Sequence, residues 1–193
     1  MSAEASVDPL LGGASFGPGY VDSNTPRVAL SFDDPAVVLL DLLSSPVFVD
    51  VTLSLDTSAY TAGDVLADTQ VVTNAFRVPD GTSILQSVVL IDEDDQGAAF
   101  DLHFLSANNS LGTENGAPNI SDANARDYLG KVAIATGDWA DLGGVRVANI
   151  NKIGMVVKAA AGTQDLYVGA INGAGTPTYT ASGIKLRLGF LPS

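Results

Sequence analysis

The sequence predicts an all-β protein, a β-sandwich of jelly-roll or Greek-key type, preceded by an extended arm. Three observations carry this. Apolar residues recur at every second position over many short runs from Val47 onward, and turn-forming residues separate those runs. Only 16% of the 193 residues are charged, against roughly a quarter in an average domain, while 20 are glycine. Strands also do not alternate with long helical patterns, which argues against a parallel α/β sheet.

Residues 1–46 read as the arm. GGASFGPGYVDSNTP surrounds isolated Phe16 and Tyr20 with Gly, Pro, Ser and Asn, a composition with too little apolar surface to fold alone. Within the arm, DDPAVVLLDLLSS offers Asp34 as an N-cap and Pro35 as the first helical residue, so a short helix is expected. Its residues Val37, Val38, Leu39, Leu40, Leu42 and Leu43 make it apolar nearly all round, so this domain or a neighbouring subunit should cover it. Phe16, Tyr20, Leu39 and Leu42 are the expected anchors of the arm.

Residues 47–193 read as the sandwich. VFVDVTLSLD alternates strictly, with Phe48 the one apolar residue on the polar side. Further strands are expected near 69–76, 83–91, 99–106, 130–136, 144–150, 153–159, 165–171 and 183–190. PDG at 79–81, NGAP at 115–118, AAG at 160–162 and NGAGTP at 172–177 mark turns between them. NISDANARDYLG at 119–130, with Ser121 or Asp122 as cap and Gly130 at its end, predicts one short crossover helix.

Charge and composition exclude several functions. The formal charge is −13 with only nine Lys and Arg, so no basic patch is available for nucleic acid or an anionic membrane. With no Cys, disulfides, thiolate nucleophiles and cysteine zinc sites are absent, which fits a reducing compartment. MSAEASVDP lacks the basic and apolar parts of a secretory signal, and the apolar stretch before residue 50 is interrupted by Asp33, Asp34 and Asp41. A soluble chain made in the cytoplasm is therefore expected.

Few residues remain for chemistry. His103 is the only histidine, so zinc and His-relay mechanisms lack parts; alternation places it with Asp101 and Leu105, opposite Phe100, Leu102 and Phe104. No G-x-S-x-G, phosphate loop or dinucleotide fingerprint occurs. The strongest candidate is the run Asp92-Glu93-Asp94-Asp95, where Asp92, Asp94 and Asp95 could serve a hard cation such as Ca²⁺. It lacks the spacing of an EF-hand, and the more economical reading is the solvated end of a hairpin between 83–91 and 99–106. Trp139, in the turn-like GDWADLGG, reads as a packing plug. No catalytic residue and no cofactor are assigned.

The segments TSAYTAGDVLADTQVVTNAFR, SILQSVVLIDEDDQGAAFDLHFLS, APNISDANARDYLGKVAIATGDWADLGG and DLYVGAINGAGTPTYTASGIKLRLGFL resemble, in order and wording, those of small virion structural proteins of tailed bacteriophages. The resemblance spans roughly residues 47–193 and leaves the arm outside it. It implies a non-enzymatic β-sandwich incorporated in the particle as a capsid decoration, or cement, protein on the outer surface. Its partners would be the major capsid protein and further copies of itself, by analogy a trimer. A tail, neck or fibre component is the alternative, and a carbohydrate-binding adhesion module using Trp139 or Tyr179 is a third reading. The arm holds Glu4, Asp8, Asp22, Asp33, Asp34 and Asp41 against Arg27 alone, and the domain is acidic too, which suits an outward-facing protein better than one lining packaged DNA.

Overall fold

A computed structural model describes residues 45–192. The expected arm helix and the anchors Phe16, Tyr20, Leu39 and Leu42 lie outside these residues.

Among the described residues nine strands form: β1 (Val47–Thr52), β2 (Val65–Val72), β3 (Thr82–Asp92), β4 (Phe100–Leu105), β5 (Tyr128–Ile134), β6 (Trp139–Asp141), β7 (Arg146–Lys158), β8 (Leu166–Asn172) and β9 (Ile184–Pro192). They pair antiparallel in two sheets, ordered β1-β9-β3-β7-β6 and β2-β8-β4-β5. With β6 set aside as an added edge, the chain crosses between sheets after β1, β2, β3, β5, β7 and β8, which is the order of an eight-stranded jelly roll.

The alternation that predicts the strands also builds the core. Val88 and Leu90 of β3, Phe100, Leu102 and Phe104 of β4, Leu166 and Val168 of β8, and Leu186, Leu188 and Phe190 of β9 face one another between the sheets. A smaller cluster lies on the outside of the four-stranded sheet. There Leu111 closes over Val65 and Leu105 with Ile120, Tyr167 and Ile171 around them. Leu105, expected on the less buried side with His103, is therefore fully buried.

Four expectations need correction. The strand expected at 69–76 is β2, set earlier at 65–72: Asn74 takes a positive φ of 56° and ends the extended run, while Ala75 and Phe76 remain buried outside it. The strands expected at 144–150 and 153–159 are one strand, β7, in which a bulge takes up Lys152 (φ 60°) and Gly154 (φ 66°). The crossover helix of 119–130 is a single 3₁₀ turn, Asn124–Asp127. Ser121 does accept the Asn124 N–H through Oγ (3.3 Å), but Tyr128 is taken into β5 opposite Leu105, and Asn109 holds the Asp127 carboxylate at 2.7 Å. One turn without propagation gains too little to compete with a sheet ladder. Finally, β3 and β4 belong to different sheets, so the acidic run between them is a corner and not a hairpin.

Candidate functional site

The acidic corner follows from how β3 ends. Its alternation turns Val88, Leu90 and Asp92 inward, so Asp92 is fully buried, with 0% of its surface exposed. Two backbone donors compensate: Oδ1 accepts the Asp94 N–H (3.0 Å) and Oδ2 the Gly97 N–H (2.7 Å). Burial raises the pKa of Asp92, and these N–H groups partly oppose the rise. The neighbouring acids turn to other parts of the molecule. Glu93 pairs with Lys185 of β9. Asp94 Oδ2 accepts the Thr180 N–H (2.8 Å) and hydroxyl (3.0 Å), while Asp95 accepts from Arg146 Nε of β7 (2.8 Å). Asp92, Asp94 and Asp95 thus each hold a different piece of backbone or strand, and no three metal-ligating side chains gather among the described residues. The N–H dipoles around Asp92 have the polarity that welcomes an anion, the reverse of a cation's oxygen shell. The corner is a fastening between β3, β7 and the 173–183 connection.

His103 keeps its expected face, half-buried beside Asp101 and opposite core residues Phe100, Leu102 and Phe104. Its Nδ1 lies 3.1 Å from the Tyr128 hydroxyl, the two rings are tilted with centroids 5.8 Å apart, and Nε2 finds no hydrogen-bond partner among the described residues. Burial lowers its pKa, with the Asp101 carboxylate opposing this and Lys131 adding to it. Lys131 and Asp101 are themselves paired at 2.6 Å. No nucleophile adjoins the ring in these contacts, and the group reads as a sheet-face fastening.

Trp139 is the packing plug the sequence indicates, though it sits in β6 and not in a turn. It is 8% exposed, packs against Phe100 with ring centroids 6.1 Å apart, and donates Nε1–H to the Ala98 carbonyl at 3.0 Å. Tyr179 is buried beside Tyr60 at 6.3 Å. Neither offers the exposed aromatic platform that the carbohydrate-binding reading requires. An open depression of about 830 Å³ is lined by Asp56, Asp68, Glu114, Ser110 and Asn119. Two of its carboxylates are already engaged: Asp68 accepts the Leu111 N–H (2.8 Å) and the Ser110 hydroxyl (2.8 Å), and Asp56 accepts the Ser58 N–H (2.7 Å).

The surface that departs from an ordinary sandwich is the outer face of the five-stranded sheet. Phe48 of β1 lies across Gly189 of β9, so closely that a Cβ on Gly189 would stand 3.1 Å from Phe48 Cε1. One step along, Leu191, Ile84 and Val156 stand side by side on β9, β3 and β7. Phe48 is 67% exposed, Val156 66% and Leu191 38%. Farther along the same strands the face turns polar, with a bidentate Arg187–Asp50 pair at 2.8 and 3.0 Å. Alternation flags Phe48 alone; the rest of the row depends on register across four strands.

No family model and no curated protein matches the chain. Among solved structures, it is similar to the capsid of Ralstonia phage GP4 at 20% identity and a TM-score of 0.36, covering 77% of this chain and 84% of that one. It is also similar to a chain of desmodium yellow mottle tymovirus at 12% identity and a TM-score of 0.26, covering 100% and 93%. A third is from the expanded equine rhinitis A virus particle, at 10% identity and a TM-score of 0.31, covering 100% and 93%. At these values the likeness carries no argument about function, and the jelly-roll assignment rests on the strand order of the chain itself.

Proposed function

We propose that this chain is a structural protein of a virus particle: a decoration protein of a tailed-phage head that binds the major capsid protein and neighbouring copies, and has no enzymatic role. The observation that carries the reading is the apolar row of exposed Phe48, Leu191 and Val156 around half-buried Ile84, on a sheet face that a free-standing sandwich would keep polar. The sequence resemblance of residues 47–193 to phage virion proteins supports the same reading. The net charge of −13 supports placement on the outside of a shell, away from packaged DNA. The arm, through Phe16, Tyr20, Leu39 and Leu42, supplies contacts to neighbours, and repetition around a symmetric oligomer, a trimer in this proposal, offsets the cost of ordering it.

A cryo-EM reconstruction of the native particle tests the reading through copy number. Hundreds of copies on the head are expected. A few copies, or about a dozen, at the tail or neck would move the protein there, and absence from purified particles would end the virion reading.

A further inference from the structure

The apolar row on the five-stranded sheet needs an occupant, and the described chain from Ser45 to Pro192 leaves it open to solvent. Two features narrow what fits. The row is aliphatic and aromatic, a few residues wide, and spans β1, β9, β3 and β7. Its β7 end carries cations without partners: Lys158 is exposed two residues beyond Val156 and Lys152 is exposed on the bulge, and neither joins an ion pair among the described residues. Arg187 and Lys185 on the same sheet are already paired, with Asp50 and Glu93. The fitting ligand is therefore a short apolar segment that also carries carboxylates.

The part of the chain before Ser45 contains such a segment. DDPAVVLLDLL, residues 33–43, combines Val37, Val38, Leu39, Leu40, Leu42 and Leu43 with Asp33, Asp34 and Asp41, and it has no basic residue. It ends two residues before Ser45, where the described chain enters the domain with the Ser45 carbonyl held by Arg77 Nη2 at 2.6 Å, at the same end of the sheet as the row.

We infer that the outer face of the five-stranded sheet receives residues 33–43 of a neighbouring copy, with Leu39 and Leu42 over Phe48, Leu191, Ile84 and Val156, and the segment's carboxylates toward Lys152 and Lys158. This rests on the reading above that the arm engages neighbouring copies, and it adds the receiving surface.

The absence of cysteine makes the test direct. Full-length chains carrying Leu42→Cys and Val156→Cys are co-expressed, one of them tagged, then oxidised and separated without reductant. A disulfide between the two different chains is the expected main product, and Lys152→Glu with Lys158→Glu should lower its yield severalfold. Ala133→Cys, exposed on the outside of the other sheet, replaces Val156→Cys as the control for random collision. A yield with Val156→Cys no higher than with Ala133→Cys overturns the inference. So does a doubly substituted chain that closes mainly within itself. If the purified protein cross-links as expected but is missing from particles, the virion reading fails while the arm-to-face contact stands.

Discussion

Asp92 ends a core strand with its carboxylate turned inward, and two backbone N–H groups from the corner that follows are bound to it. Replacing it with Ala leaves the buried Gly97 N–H without its acceptor, and a loss of about 1–3 kcal/mol in urea unfolding is expected. Its pH behaviour has a definite sign. Burial raises its pKa in the folded state above the ordinary value of 3.8, so the folded chain holds this proton more tightly than the unfolded one. The stabilising effect is complete below the unfolded value and fades as pH rises through the folded one. Comparing melting temperatures of the native chain and Asp92→Asn across that interval isolates the group. The advantage of the native chain should shrink as pH rises, while Asp50 and Asp56, both lowered by hydrogen bonds, act in the opposite direction in both proteins. A difference that does not change with pH would contradict the assignment. The sequence shows four acids in a row; it does not show that the first of them completes the inward series Val88, Leu90, Asp92, because that depends on where β3 stops.

At the scale of elements, β6 is three residues long and pairs only with β7, too short to hold its place by ladder bonds alone. Trp139 anchors it, through the Phe100 ring and the Ala98 carbonyl. Trp139→Ala should cost about 3–5 kcal/mol in denaturant unfolding, as large aromatic truncations in cores do. Trp139→Phe should recover most of the packing and lose the hydrogen bond. A cost near zero would mean that β6 is carried by its loops. The plug was readable from composition, since an isolated Trp among turn residues needs a place to bury itself. The fate of 119–130 was not. Its capping signal is real and local, yet Tyr128 has a partner in Leu105 that lies far away in sequence, and tertiary pairing overrides a one-turn preference.

For the whole molecule, the acids of the corner are held by three elements, through Lys185, Thr180 and Arg146, and the prediction from this fastening is that the corner keeps its stability without a bound cation. EDTA should leave the melting temperature unchanged, and added Ca²⁺ should not raise it. A Ca²⁺-dependent rise that Asp94→Asn abolishes would show that the corner rearranges around an ion. What the residues determine by themselves is the period of two, most of the turn positions and the acidity, because none of these depends on which distant strands become neighbours. That Asp101 and His103 share the less buried side of β4 was also legible, since alternation sets sides. What the tertiary structure alone decides is which strands become neighbours. Strand order turns the acidic run from a hairpin end into a corner between sheets, and buries Leu105 under Leu111. It also aligns Ile84, Val156 and Leu191, the first and last of them more than a hundred residues apart in sequence, into one apolar row beside Phe48. Side-chain period is a local property of the backbone, whereas register between distant strands is set by how the two inner faces pack together.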